Sequence, residues 1–454
     1  MMSKDRRFVL KLFFLSLAFP KKLLASTNHI TGKNYLSFYG ADADAFTKFL
    51  TYAKITSEEC YIDIDVELKE KLEYDFNYST IKLVFLSSTI KCDTPFLIFS
   101  SLGKNSYIKN ASFTTINSPW VISRWKDNNW LTDPDEILHT LTKTFSPGYY
   151  QPTINDHDIY DLLTQEQKTQ NISSGIIVKD SNDVVIINPE GVFALFEFYN
   201  CNNCTVVSPK IMSGGKGEYG TIVFNNISSP TYGYGNKVIG GEISYGSYSG
   251  ITFIRNKGPN AGVWGGVKLF RCGESGVKTY QNEINSVSAR CYNLIFDSIQ
   301  SEQTVYDGFD FSSDYGPIRP RMMDFSLQQY PWHYLPVAHK ISRLTAINCR
   351  GTGFFIDGQF SDITNLKAVK CFKDGFFING INNKISTIDI VDCNLLNIST
   401  GVHQINIPNE NSVNELSVIT SNKINNGYAI YAPRSSVKNR SINSQLKSMV
   451  ESAK

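Results

Sequence analysis

Charge is scarce in this 454-residue chain. Charged residues make up 19% of it and nearly cancel, leaving a net charge of +2. Such a balance gives no field with which to gather a polyanion. No helix-turn-helix or finger spacing appears either, so nucleic acid is not an expected partner. Long apolar runs are equally scarce. Beyond the N-terminus none reaches bilayer-spanning length, so no membrane span is expected after the N-terminal segment is removed. There are nine cysteines, an odd number that argues against a complete disulfide framework. Cys201 and Cys204 have two-residue spacing, but no second pair stands at a metal-site distance. Neither a metal nor a cofactor is expected. Helical spacing of apolar residues at three and four is also missing from most of the chain.

What is present is β-like. Aromatics reach 13%, and Asn, Ser, Ile, Phe and Tyr are frequent. At the N-terminus Lys4, Arg6 and Arg7 precede an apolar run from Phe8 to Phe19, and Leu23-Leu24-Ala25-Ser26 offers a cleavage site. Residues 1–25 therefore read as an export signal, which places the mature protein in the periplasm or outside the cell. The stretch from Asp5 to Lys11 resembles a twin-arginine motif, with Asp5 and Val9 departing from it. An ordinary secretory signal fits as well.

The decisive pattern is a repeat. Cys349, Cys371 and Cys393 are each 22 residues apart. Leu344-Thr-Ala-Ile-Asn-Cys349 aligns with Leu366-Lys-Ala-Val-Lys-Cys371 and Ile388-Asp-Ile-Val-Asp-Cys393. Gly353-Phe-Phe-Ile-Asp-Gly358 aligns with Gly375-Phe-Phe-Ile-Asn-Gly380. A glycine followed by an alternating strand recurs at Gly191, Gly220, Gly250, Gly276, Gly308, Gly353, Gly375, Gly401 and Gly427. One such coil cannot bury its inner face, whereas stacked coils share one core. The expectation is an all-β right-handed parallel β-helix over 57–435. The cysteines then stack as small interior hydrophobes rather than as bridges. Side excursions leave the period at 118–172 and 314–340, and 436–454 reads as a C-terminal tail or cap. The first coils are expected near Ile81–Phe85 and Phe96–Phe99.

Residues 36–56 read as an N-terminal helical cap, with Asp44 as N-cap and Phe46, Phe49, Leu50 and Ala53 on one face. Here Phe38-Tyr39-Gly40-Ala41-Asp42 resembles the strand-and-turn that opens proteins of the pectate-lyase-like superfamily. The resemblance covers roughly 36–435. It implies a β-helix whose open end is covered by that helix, and a polysaccharide as partner. The superfamily includes lyases, hydrolases, epimerases and tailspike depolymerases. The signal-plus-solenoid layout is also similar to exported exopolysaccharide-associated β-helix proteins such as that of the colanic acid cluster. The polygalacturonase, pectate-lyase calcium and alginate-epimerase motifs are absent. The export signal argues against a tailspike, because phage structural proteins assemble in the cytoplasm. A homotrimer is compatible with the resemblance.

Alternation after each glycine points Ile251/Phe253, Phe309/Phe311, Phe354/Ile356 and Phe376/Ile378 inward. It points Lys278, Tyr280, Asp310, Phe355, Asp357, Phe377 and Asn379 outward, with Lys278 and Asp310 in one column. The insertion adds Asp314, Arg319, Arg321, Trp332 and His333 beside this face. Aromatics stack on sugar rings, and arginines pair with uronate carboxylates. Asp310 with Asp357 or Asp314 would serve as acid and base in glycoside hydrolysis. A lyase would use Tyr280, Lys278 or an arginine to remove a proton beside a carboxyl group. The structural alternatives are a plain Lys278–Asp310 ion pair and an Asp357-Gly358 turn. The function expected is cleavage or processing of an acidic bacterial exopolysaccharide or capsule. The alternatives are a carbohydrate-binding assembly factor and a surface adhesin.

Overall fold

The computed structural model describes residues 32–92, 97–114, 174–214, 219–244, 246, 249–280, 283–284, 287–304, 306–311, 337–378, 380–394, 405–407, 410–419, 430–433, 435–442 and 450–452. The signal read at 1–25, the excursion at 118–172 and most of the insertion at 314–340 lie outside these residues.

Stacked coils form a parallel β-helix. Among the described residues 31 strands join one network of parallel ladders. Each strand pairs with its equivalents one coil above and below. Lys340–Ile347, Asp362–Val369, Lys384–Val391 and Ser412–Ile419 do so in unbroken succession. The inner faces carry one continuous apolar core from Leu36 to Ala432. Like stacks on like inside it. The rings of Phe198, Phe224 and Phe253 lie 4.8 and 5.2 Å apart, and those of Phe309, Phe354 and Phe376 lie 5.0 and 5.5 Å apart. These separations follow the ~4.8 Å spacing of hydrogen-bonded strands. All nine cysteines are free and buried. Burial pushes the Cys272 and Cys291 thiols up to about 12. They pack inside the core, and no group of three or more His, Cys, Asp or Glu placed to hold a metal occurs among the described residues.

The helix Ala43–Thr56 covers the first coil and buries Phe46, Phe49, Leu50 and Ala53. Its N-cap is Asp42, not Asp44. The Asp42 carboxylate accepts the Ala45 N–H at 2.7 Å, while Asp44 sits in the first turn, where a negative charge suits the helix dipole. Coils begin at Glu59–Ile62, within the span expected of the solenoid but one coil ahead of the first strand read at Ile81–Phe85; this strand pairs with Lys82–Phe85. They also continue later. Ser436–Ile442 and Val450–Ser452 pair with the preceding coil, where the sequence reads as a tail.

The glycine marker holds its frame from Gly250 to Gly375 and slips on either side. Phe376 pairs with Ile405 and Ile405 with Ile430, so by register the column passes to positions 404 and 429 rather than to Gly401 and Gly427. Gly220 pairs with Ser249, so Thr221 occupies the place that Gly250 takes on the next coil. Gly191 pairs with Ile211 and Phe113 in another strand stack. Leu195, opposite Gly175, holds the marker's position there. Asparagines recur at turns because one residue there is left-handed, as at Asn188, Asn200, Asn293 and Asn348. Asn tolerates that conformation better than other side chains with a Cβ.

One corner of the coils is closed by side chains from the next coil. Backbone N–H groups of Leu294, His339, Ser361 and Asn383 donate to His339 Nδ1, Ser361 Oγ, Asn383 Oδ1 and Asn411 Oδ1 in turn. His339 is buried here, and burial holds it neutral, with its pKa lowered to about 3. The free imidazole titrates near 6.5. Between those values the unfolded chain binds a proton that the folded chain does not. The stability this provides is therefore fully present above pH 6.5 and is lost as pH falls toward 3, by about 1.4 kcal/mol per unit. Denaturant midpoints measured from pH 7 to 4.5 should fall in this manner. His339→Asn, which adopts the ladder's own solution, should flatten the fall. An unchanged slope would show that other groups set it.

Candidate functional site

The strands Ser249–Ile254, Val277–Thr279, Phe309–Phe311, Phe354–Ile356 and Phe376–Ile378 stack in that order. Their outward column reads Thr252, Lys278, Asp310, Phe355, Phe377 and, one coil on, Asn406. All six point away from the core cluster, yet all are buried. The Phe355 and Phe377 rings lie 5.0 Å apart. Lys278 and Asp310 are register neighbours, and the Lys278 ammonium forms an ion pair with Glu274. It also lies 5.0 Å over the ring of Tyr280, which meets Tyr219 edge-on. Asp357 is buried just beyond its strand, and its N–H donates to Phe311 C=O at 3.3 Å. Asn379, Asp314, Arg319, Arg321, Trp332 and His333 lie outside the described residues.

The residues just before each glycine were missed in the sequence. Coils bond to one another there. Tyr306 N–H donates to Glu274 C=O, Gly351 N–H to Tyr306 C=O, and Lys373 N–H to Gly351 C=O. This places Glu274, Tyr306, Gly351 and Lys373 in one column, two residues ahead of the glycine. Ser275, Asp307, Thr352 and Asp374 form the next. Asp307 Oδ1 accepts the Thr352 N–H at 2.6 Å. Gly351 permits that approach, since a Cβ on it would lie 2.3 Å from the same oxygen. Glu274 Oε2 accepts the Ser249 hydroxyl at 2.9 Å. The available signal was a change of residue type: the position before the glycine is Ser249, Ser275 and Thr352 on some coils, but Asp307 and Asp374 on others.

The result is a concentrated set of buried charges. Nine Asp, Glu, Lys and Arg residues are buried among the described residues. Eight of them are Glu274, Lys278, Asp307, Asp310, Arg350, Asp357, Lys373 and Asp374. Five acids against three bases leave the corner acidic. Burial pulls the Lys373 ammonium down to about 7, against the opposing pull of Asp374, and its Nζ lies 5.0 Å over Tyr306. Removing charges from water costs several kcal/mol each, so stability alone does not favour such a gathering. Chemistry that needs carboxylates in fixed positions does. A shallow groove of about 390 Å³ lined by Asp362, Thr364, Lys384, Ser386 and Asn414 lies on a different strand stack and holds no comparable set.

Residues 36–449 match the family model of the Salmonella phage P22 tail-spike. The chain belongs to that family. This overturns the argument from the N-terminal signal against a tailspike. The tailspike receptor-binding domain of siphovirus 9NA is 33% identical over 92% of this chain and 75% of its own, with a TM-score of 0.74. The receptor-binding protein of bacteriophage Det7, described as a podoviral tailspike in a myovirus, is 32% identical over 89% and 72%, with a TM-score of 0.73. Among the described residues no helix is long and apolar enough to cross a membrane.

Proposed function

We propose that this protein binds a bacterial surface polysaccharide along its outer face and cleaves it by glycoside hydrolysis. The observation that carries this reading is the convergence of Glu274, Asp307 and Asp310 on adjacent coils within a buried corner. Hydrolysis needs one carboxyl group to protonate the leaving oxygen and another to activate water or attack the sugar. Asp307, oriented by the Thr352 N–H, and Asp310, on the strand beyond the same glycine, are the proposed pair. Glu274 is held by Lys278 and Ser249 beside them. Hydrolysis is favoured over a lyase reaction because the Lys278 ammonium is paired with a carboxylate, which disfavours its use as a base. The receptor-binding role of the two tailspike relatives supports a surface polymer as ligand. The protein then works outside the bacterial cell.

The test incubates the protein with a panel of O-antigen, capsular and exopolysaccharides. New reducing ends without unsaturated-uronate absorbance are expected. Asp307→Asn and Asp310→Asn should each lower turnover by about 10²–10⁴-fold while still binding the polymer. Absorbance would replace the hydrolase reading with a lyase. Binding without any new ends would replace it with a non-catalytic receptor.

A further inference from the structure

A second cluster lies at the turn that follows the site's strand stack. The short strands Gly233–Tyr234 and Asn256–Lys257 pair in parallel, and Lys257 bridges to Tyr292 on the next coil. Tyr234, Lys257 and Tyr292 thus form one column over three coils. Beside it, Gly233 N–H donates to Arg255 C=O and Arg255 N–H donates to Ala289 C=O, which brings Tyr232, Arg255 and Arg290 into the neighbouring column. The rings of Tyr232 and Tyr292 meet edge-on at 5.2 Å, with their hydroxyls 3.4 Å apart. Arg255 and Lys257 both lie over Tyr232, at 5.1 and 5.4 Å, and Arg290 lies over Tyr292 at 4.7 Å.

Three cations therefore crowd two tyrosine faces. None of the three is ion-paired with a carboxylate among the described residues. Arg255 is fixed in place, donating from Nη1 to Ser229 C=O at 2.8 Å and from Nη2 to Pro230 C=O at 3.2 Å. Those carbonyls hold the guanidinium without neutralising it. Burial, with the contact to Tyr232 next, pushes the Tyr292 hydroxyl up to about 12, so it stays a phenol and can donate a hydrogen bond. Lys257 is exposed and Tyr234 is 41% exposed. The patch thus offers an exposed ammonium and an open ring beside fixed positive charge.

Its position gives it a use. Thr252 is the register partner of Lys278, and Arg255 follows three residues later on the same strand and turn. At about 3.3 Å per residue of extended chain, and less through the left-handed turn at Arg255, the patch begins within about 10 Å of the Lys278 and Asp310 column. A polymer crossing the coils there would meet an acidic corner and then a basic aromatic patch. An acidic sugar at the corner would meet the carboxylates of Glu274, Asp307 and Asp310. The same sugar at the patch would find the Lys257 ammonium and the Arg290 guanidinium for its carboxylate, and the open Tyr234 ring for its pyranose face.

We infer that Tyr232, Tyr234, Arg255, Lys257, Arg290 and Tyr292 form a subsite for a carboxylate-bearing sugar, beside the acidic corner. This inference rests on the polysaccharide-binding part of the proposed function but not on hydrolysis. Binding is measured on the Asp310→Asn protein, so that the polymer survives. The probes are acidic capsular and O-antigen polysaccharides, each in native, carboxyl-reduced and dephosphorylated form. The comparison protein adds Lys257→Gln and Arg290→Gln and leaves Arg255 to hold its loop.

Native acidic polymers should bind, and carboxyl reduction should weaken them at least tenfold. The double glutamine variant should bind native and reduced forms equally. Lys257→Arg with Arg290→Lys should keep the discrimination, which separates lost charge from lost folding. Equal binding of native and reduced forms by the parent, loss on dephosphorylation alone, or no binding of any acidic polymer would overturn the subsite. Absence of new reducing ends with the wild-type chain would overturn hydrolysis and leave these binding arms readable.

Discussion

Gly353→Val is expected to prevent the chain from reaching a stable fold. Gly250, Gly276, Gly308, Gly353 and Gly375 stand in one column along the stack. A Cβ on the first four would lie 2.8, 2.7, 2.6 and 2.5 Å from the carbonyl oxygen of the next glycine. The clash is with backbone, which cannot rotate away. At Gly353 the added carbon would also press on Ala368 Cβ at 2.9 Å and Cys371 Sγ at 3.2 Å, inside the core. Relief would require the coils to part. That would break the bonds from Gly353 N–H to Asp374 C=O and from Phe354 N–H to Gly375 C=O. Overpacking of this kind costs about 3 kcal/mol for a single methyl group at its upper range. Valine adds two more carbons and a stiff rotamer. Soluble yield and thermal unfolding of Gly353→Ala and Gly353→Val provide the measurement. An alanine variant that melts with the parent would mean that the corner relaxes freely.

The second large effect concerns the buried pair. Lys278 and Glu274 have side chains only 1% and 3% exposed. Lys278→Met keeps most of the volume and removes the charge. It leaves Glu274 buried in a corner that already holds more acids than bases, and breaking such a pair costs about 3–5 kcal/mol. Glu274→Gln added to Lys278→Met removes the remaining buried carboxylate charge. The double variant should therefore recover most of the loss in stability, while turnover on any cleaved polymer stays depressed. Denaturant unfolding of the four proteins in the cycle gives the coupling energy. Additive effects would mean that solvent or other groups, not each other, satisfy the two charges.

These two predictions also show how far the sequence could be read. The repeat was legible because stacking forces like residues into register, and the Cys349, Cys371 and Cys393 frames survive undisturbed. The frame slipped at both ends: Leu195 and Thr221 hold the place of the later glycines before Gly250, and after Gly375 the register passes by Gly401 and Gly427. A column with room for a side chain needs no glycine. The cap was displaced by two residues because both Asp42 and Asp44 suit a helix start, and only the bond to Ala45 separates them. Half of the site was legible. Lys278 and Asp310 lie after the glycine, where period-2 alternation applies. Glu274 and Asp307 lie before it, in a turn without alternation, and only the coil-to-coil bonds reveal that they share the corner. Asp357 was read as an outward residue and is one of the eight buried charges.

The corner that carries His339, Ser361, Asn383 and Asn411 has a further consequence. Each coil's backbone there is completed by a side chain belonging to its successor. A coil is thus a unit with a socket on one side and a plug on the other. A histidine, a serine and an asparagine all serve as plugs. Such a scheme makes the number of coils an adjustable quantity. A copied or deleted coil joins its new neighbours without redesign, provided it brings its own plug. The molecule is in this respect a word that can be lengthened by whole syllables, and the outer face proposed to hold a polymer lengthens with it.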